Sequence, residues 1–182
     1  MAKIRVFLKS INQNTQIMAL YIITAASLLL LFGFMAFCIV RFGLKDCFSR
    51  YSYEWDISPR ALNLWSADLI LSALLLMPVM LELSEGNNWQ FTGFLAPIAM
   101  LLVGFTPRWA TMDRQYIFHN LGVGLAVAFS VIWCIAIPKL VWPMLILAVL
   151  AGAATLICKR AFIFWLEIAM YLAIYVVLFC AI

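Results

Sequence analysis

Six long apolar runs, separated by short polar stretches, dominate the chain. We place them at Ile17–Val40, Ala61–Leu83, Gln90–Thr106, Ile117–Ile137, Leu140–Ile157 and Ala161–Ile182. An α-helix needs roughly 20 apolar residues to cross a bilayer, and each run approaches or exceeds that length. The runs do not alternate apolar and polar residues as the strands of a membrane barrel do. The pattern therefore predicts an all-α, polytopic membrane helix bundle, with six transmembrane helices in residues 17–182 and short loops.

The composition also favours a membrane protein. Hydrophobic residues make up 67% and charged residues 11% of the 182 residues, against roughly 45–50% and ~25% in soluble domains. A soluble domain of this size would have too few charges to cover its surface. We expect a multi-pass protein of a cell membrane, either a bacterial inner membrane or a plasma membrane.

The first sixteen residues form a separate basic pattern. Lys3, Arg5 and Lys9 alternate with apolar residues that share one helical face. This pattern predicts an amphipathic segment (residues 1–16) that lies in the membrane interface and is attracted by anionic lipid. A secretory signal is the alternative, but the apolar run after Gln16 is too long for a signal core, and no small-x-small cleavage site follows it.

The distribution of basic residues bears on orientation and on partners. The loops after the first, third and fifth helices contain eight Lys and Arg residues, and the opposite face has four. This excess favours a cytoplasmic location for those three loops, whereas the basic N-terminal segment favours a cytoplasmic N-terminus. The orientation stays open, although both termini share a face.

The net charge of +4 fits anionic lipid better than nucleic acid. We therefore expect membrane lipids, a second copy of the chain or another membrane protein as partners.

The tryptophans are placed near predicted helix ends. Indole rings favour the headgroup region of a bilayer, so we expect an interfacial belt rather than a tryptophan-filled core. The six belt residues are Trp65, Trp89, Trp109, Trp133, Trp142 and Trp165.

Catalytic and cofactor motifs are missing from the sequence. The five cysteines form no C-x-x-C pair, and the single histidine excludes a ceramidase-type metal site. Ser72, His119 and Asp68 are the residue types of a hydrolase triad, but no G-x-S-x-G motif supports that assignment. We expect no metal and no cofactor, assign no catalytic residue, and favour a protein that is not an enzyme.

Three ionisable residues lie inside predicted spans, where a charge costs at least ~2.5–3.5 kcal/mol. Asp68, His119 and Glu167 lie about 10, 3 and 9 Å from the starts of the second, fourth and sixth predicted helices. Those helices enter from the same membrane face, so the three side chains are candidates for one shallow polar vestibule. Arg114, on the basic side of the fourth helix, is included in the candidate ligand-binding set.

The residues on the same helical faces extend this set. Ser72 follows Asp68 by one turn, and Tyr171 follows Glu167 by one turn. His119 shares a stripe with small residues that allow another helix to approach closely, so a larger side chain in the stripe should disrupt packing. The stripe consists of Gly122, Ala126 and Ser130.

These residues allow three hypotheses about function. The first is a protein that binds or moves a lipid or small amphiphile through the shallow vestibule. The second is a membrane-embedded enzyme that modifies a lipid, with His119 as the general base. The third is a structural or interaction subunit of a membrane complex, in which the polar residues only hold helices together. We favour the first.

Residues 93–120 resemble a known family. They begin with Gly93-Phe94-Leu95, pass through Gly104-Phe105-Thr106-Pro107, and end after a polar loop with His119-Asn120. This stretch is similar to the third and fourth helices of the Frag/DRAM/Sfk-type six-helix membrane proteins and their bacterial relatives. Asp56-Ile57-Ser58-Pro59 echoes the acidic motif that follows the first helix of that family. The resemblance implies a six-helix fold and a cytoplasmic N-terminus, and it implies no defined activity.

Overall fold

A computed structural model describes residues 2–54, 63–107, 113–158 and 161–182, and it describes residues 2–12 and 158 by their backbone only. All regular structure in this part of the chain is helical, which confirms the predicted all-α class. The helices are α1 (Ala2–Phe42), a 3₁₀ helix (Phe48–Tyr53), α2 (Leu64–Leu83), α3 (Gln90–Gly104), α4 (Asp113–Ala136), α5 (Trp142–Cys158) and α6 (Phe162–Ala181).

Four of these helices are long and apolar enough to cross a membrane. They are residues Gln13–Phe42 of α1 together with α2, α4 and α6. The apolar helices Gln90–Gly104 and Trp142–Ile157 are shorter. The predicted helix positions are close to the observed ones, and the spans beyond these four belong to the proposal below.

The N-terminal segment is not a separate helix. Residues Ala2–Phe42 form one continuous helix of 41 residues, so the predicted division after residue 16 does not coincide with a break. The physical reason is local, since neither glycine nor proline, which break helices most readily, occurs between residues 2 and 32. The side chains of Lys3, Arg5 and Lys9 lie outside the described residues.

The bundle closes around α6. Consecutive helices pack in the pairs α1–α2, α2–α3, α3–α4 and α5–α6, and α6 also contacts α1 and α4. The core between them contains fully buried side chains such as Leu31, Leu69 and Tyr175. Helix α5 therefore lies at the edge of the bundle, packed on α6.

The tryptophans predicted to form a belt differ in their exposure. Trp89 and Trp142 are about half exposed near helix ends, but Trp65 and Trp133 are completely buried. The indole Nε1–H of Trp133 donates to Ser84 Oγ at 2.7 Å, and the ring of Trp65 packs on Phe48. The belt prediction is wrong for these two residues, because both rings face the bundle interior. Trp109 lies outside the described residues, as does the Asp56–Pro59 motif.

The described part of the connection between α1 and α2, residues 43–54, closes one end of the bundle. Its 3₁₀ helix buries Phe48 and Tyr51. The Asp46 carbonyl accepts a hydrogen bond from the Phe164 amide at 3.1 Å, which attaches the connection to the first turn of α6. Ser52 Oγ donates to the Pro107 carbonyl at 2.7 Å, which attaches it to the end of α3. A segment expected to be a loop is thus part of the core.

Candidate functional site

An apolar cavity of about 330 Å³ lies between α3, α4 and α6, next to the 3₁₀ helix. Four of its lining residues are polar, and the others are apolar. Its lining residues are Phe48, Ser49, Met100, Val103, Val123, Ala126, Val127, Ser130, Ile163, Leu166, Glu167, Met170, Tyr171 and Ile174. Val127 and Ile163 are themselves exposed, so the cavity opens on the surface between α4 and α6.

The cavity extends along the helices rather than across them. Ser49 lies beside His119 of α4, whereas Ser130 lies eleven residues further along that helix, or about 16 Å. That length is roughly half of the ~30 Å hydrocarbon thickness of a bilayer. The length of the cavity is therefore close to the hydrocarbon thickness of one bilayer leaflet.

Glu167 marks the end of the cavity nearest the loops. Its Oε2 accepts a hydrogen bond from the backbone amide of Phe48 at 2.6 Å. The carboxyl group is thereby fixed to the 3₁₀ helix, and it lines the cavity beside Ser49. Tyr171 lies one turn deeper on α6 and lines the same cavity.

Both ring nitrogens of His119 lie within hydrogen-bond distance of neighbouring oxygens. Its Nε2 lies 3.1 Å from Ser49 Oγ, and its Nδ1 lies 3.2 Å from Thr106 Oγ1 and 3.3 Å from the Thr106 carbonyl oxygen. The ring also stacks on the buried indole of Trp65, with 6.3 Å between the centroids. Because these contacts come from the 3₁₀ helix, α2 and the end of α3, the position of the imidazole depends on three separate segments.

Asp68 lies outside the cavity. It is buried, and neither carboxylate oxygen has a hydrogen-bond partner among the described residues. Ser72 Oγ, one turn further along α2, also has none there, so the two side chains do not hydrogen-bond to each other although they share a helical face. Asp68 lies within electrostatic range of the Tyr171 and Tyr175 hydroxyls of α6.

The polar groups of α1, α2 and α6 form an internal layer close to Asp68. Ser27 Oγ lies 2.7 Å from the Tyr175 hydroxyl and donates to the Ser72 carbonyl at 3.1 Å. These hydrogen bonds connect three helices through one hydroxyl. The layer therefore links α1, α2 and α6 to one another.

The predicted vestibule differs from the observed arrangement. Asp68, His119 and Glu167 all lie within about 6–9 Å of the N-terminal ends of α2, α4 and α6. Of the candidate residues, however, only Glu167 and Tyr171 line the cavity, which lies between α3, α4 and α6 rather than between α2, α4 and α6. Arg114 is exposed in the first turn of α4 and does not line it.

The small-residue stripe of α4 has two different environments. A Cβ atom at Gly122 would lie 3.0–3.2 Å from Val103 and from the Ala99 carbonyl oxygen, so α3 and α4 are in close contact there. Ala126 and Ser130 line the cavity instead. The expectation of close packing is met at Gly122, but a larger residue at Ala126 would enter the cavity.

Ser49 is the residue that the sequence interpretation missed. It lies in the longest connection, and the apolar runs that determined the six helices give it no role. The only signal was the sequence Phe48-Ser49-Arg50-Tyr51-Ser52-Tyr53, in which aromatic residues recur at short intervals beside hydroxyl side chains. Such spacing favours a buried turn over a solvated loop.

Comparison with known proteins gives no relative for this chain. No protein-family model, no curated protein and no solved structure matches it.

Proposed function

We propose that this protein is a six-span membrane protein that binds the acyl chain of a membrane lipid in the cavity between α3, α4 and α6. The observation that carries the proposal is the cavity itself: it is mostly apolar and about half a bilayer long, and it opens sideways between α4 and α6. A polar lipid head group would lie at the end that contains Glu167 and Ser49. Pockets of this size and lining are typical of small apolar ligands.

The outer faces of the helices support six spans. A large apolar side chain is exposed on every one of the six helices, including the two short ones, and such a surface is costly in water. Examples are Leu29, Leu71, Phe94, Ile117, Val149 and Ile163. At 1.5 Å per residue, α3 and α5 are about 22 and 26 Å long, a mismatch that a bilayer absorbs by local thinning. The multi-pass location in an inner or plasma membrane is part of the same proposal.

The resemblance to the Frag/DRAM/Sfk-type proteins concerns this fold and not the ligand. Gly104 ends α3, Thr106 and Pro107 follow it, and His119 of α4 contacts Thr106. The motif residues thus lie together at the end of the α3–α4 pair. We propose membership of that family on these residues alone.

The proposal is tested by photo-crosslinking in liposomes with a phosphatidylcholine that carries a diazirine on one acyl chain. We expect crosslinks on cavity residues such as Val103, Val127 and Met170, mapped by mass spectrometry. Ala126→Phe places a ring in the cavity and should reduce these crosslinks severalfold. Ala128→Phe is the matched control, because Ala128 lies on the same helix but is exposed and outside the cavity. Crosslinks that are spread over the outer faces and unaffected by Ala126→Phe would contradict acyl-chain binding.

A further inference from the structure

We propose that Ser49 and His119 form a nucleophile–base pair that cleaves the carboxylic ester of a lipid whose acyl chain occupies the cavity. This inference rests on the proposed function and adds a reaction to it. It replaces the Ser72–His119–Asp68 combination that the sequence offered, since Ser72 and Asp68 do not contact His119 among the described hydrogen bonds, whereas Ser49 does.

The first argument is the distance between the two groups. Ser49 Oγ and His119 Nε2 are 3.1 Å apart, within the range of 2.6–3.2 Å that is required for proton transfer between a nucleophile and its base. Ser49 also lines the cavity, so this residue lies next to the space where an acyl chain would lie. His119 lies behind Ser49 and outside the lining.

The second argument is the tautomer of the imidazole. The Thr106 hydroxyl donates to the carbonyls of Leu102 and Val103, both at 3.0 Å. The Thr106 carbonyl oxygen can only accept, and the hydroxyl proton of Thr106 is directed at the helix carbonyls. Both Thr106 oxygens near His119 Nδ1 therefore accept from it, so we assign the proton of the neutral ring to Nδ1. Nε2 then has the lone pair, and it faces Ser49.

Thr106 thus has the role that an aspartate has in a serine hydrolase. It orients the imidazole and fixes the tautomer, although it has no charge to stabilise the imidazolium. Trp65 supports the same orientation by stacking on the imidazole ring. Both are positioning residues.

The reaction needs only water as a co-reactant. Ser49 Oγ attacks the ester carbonyl carbon and forms a C–O bond, while its proton moves to His119 Nε2. The tetrahedral intermediate breaks the bond to the leaving alkoxide, which takes the proton from His119 and departs as an alcohol. Water then attacks the acyl-serine, passes one proton to His119 and releases a carboxylic acid, and His119 returns that proton to Ser49 Oγ.

The test is covalent labelling of the purified, liposome-reconstituted protein with a fluorophosphonate that carries a long alkyl chain. Mass spectrometry of the labelled wild-type protein identifies the phosphonylated residue directly. This result therefore does not depend on the folding of any variant. We expect the label on Ser49. His119→Gln should slow labelling by about 100-fold or more, the usual contribution of a general base. Ser66→Ala is the matched control: the Ser66 hydroxyl is buried, lies outside the cavity lining and has no hydrogen-bond partner among the described residues, so its loss should leave labelling unchanged.

Diazirine crosslinking of the same samples separates this inference from the proposed function. Crosslinking without phosphonylation of Ser49 would overturn the nucleophile–base pair and leave acyl-chain binding intact. Labelling of Ser49 at an equal rate in His119→Gln would also overturn the pair. If neither reagent reaches the cavity residues, both proposals fail. Labelling that is lost in Ser49→Ala, while its crosslinks and thermal stability are retained, would support both.

Discussion

Gly122→Ala is the most direct test of the α3–α4 packing that holds His119 against Thr106. The added methyl group would lie 3.0 Å from Val103 Cγ2, 3.1 Å from the Ala99 carbonyl oxygen and 3.2 Å from the Val103 amide nitrogen. The Val103 side chain can rotate away, but the two backbone atoms cannot. The two helices must therefore separate by a few tenths of an ångström.

The matched control is Gly124→Ala, two residues further along α4. A Cβ atom at Gly124 would meet nothing within 4 Å, so this variant gains only the higher helix propensity of alanine, worth ~1 kcal/mol. Gly122→Ala gains the same amount and additionally loses about 1–3 kcal/mol through overpacking. The difference between the two variants isolates the steric cost. For a chain of this size it corresponds to a gap in Tm of roughly 2–12 °C, with Gly122→Ala lower.

Thermal unfolding of both variants in detergent, followed by far-UV circular dichroism, measures this gap. The assay suits a chain whose described regular structure is entirely helical. Gly124→Ala should melt at or above the temperature of the unmodified protein. Equal melting temperatures for the two variants would refute the close approach of α3 and α4 at Gly122.

Cys47, beside the 3₁₀ helix, should react slowly with maleimide at pH 8. Burial, together with the nearby Glu167 carboxylate, raises the pKa of its thiol from 9.0 to about 11. The thiolate population is then about 100-fold smaller than that of an unperturbed thiol. Faster modification of Cys47 than of the exposed Cys180 would refute the raised pKa. The six-span arrangement predicts that cysteines introduced at Glu54 and Asp113 are labelled by an impermeant maleimide from the same side of a sealed liposome, in a chain with Cys180→Ser. A cysteine at Glu85 should be labelled only from the opposite side, and labelling of all three from one side would show that neither α2 nor α3 crosses.

The helices were predictable because each corresponds to a continuous run of apolar residues in the sequence. Runs of about twenty apolar residues, interrupted by charged or turn-forming residues, placed all six near their observed positions. The uninterrupted length of α1 was missed because a change from polar to apolar composition was interpreted as a boundary. Composition changes the environment of a helix without breaking its backbone hydrogen bonds.

The candidate site was predictable only in part. Glu167 and Tyr171 were identified because an acid in an apolar run stands out, and both line the cavity. Asp68 stands out equally, yet it does not line the cavity; it is buried on α2 within electrostatic range of the Tyr171 and Tyr175 hydroxyls. Position along a helix gives the depth of a residue, but the neighbouring helix that it faces depends on how the helices rotate and pack.

The sequence by itself determined the helical class, the approximate helix limits and the shared end of the bundle at which the ionisable residues lie. These properties follow from hydrophobic runs and from counting residues along the chain. Only the tertiary structure decided that Ser49 meets His119, that Trp65 and Trp133 are buried, and that Ala126 lines a cavity while Gly122 contacts α3. The reason is physical: Ser49 and His119 are 70 residues apart in the chain. Their 3.1 Å contact arises from the hydrogen bonds that fold the α1–α2 connection over the end of the bundle.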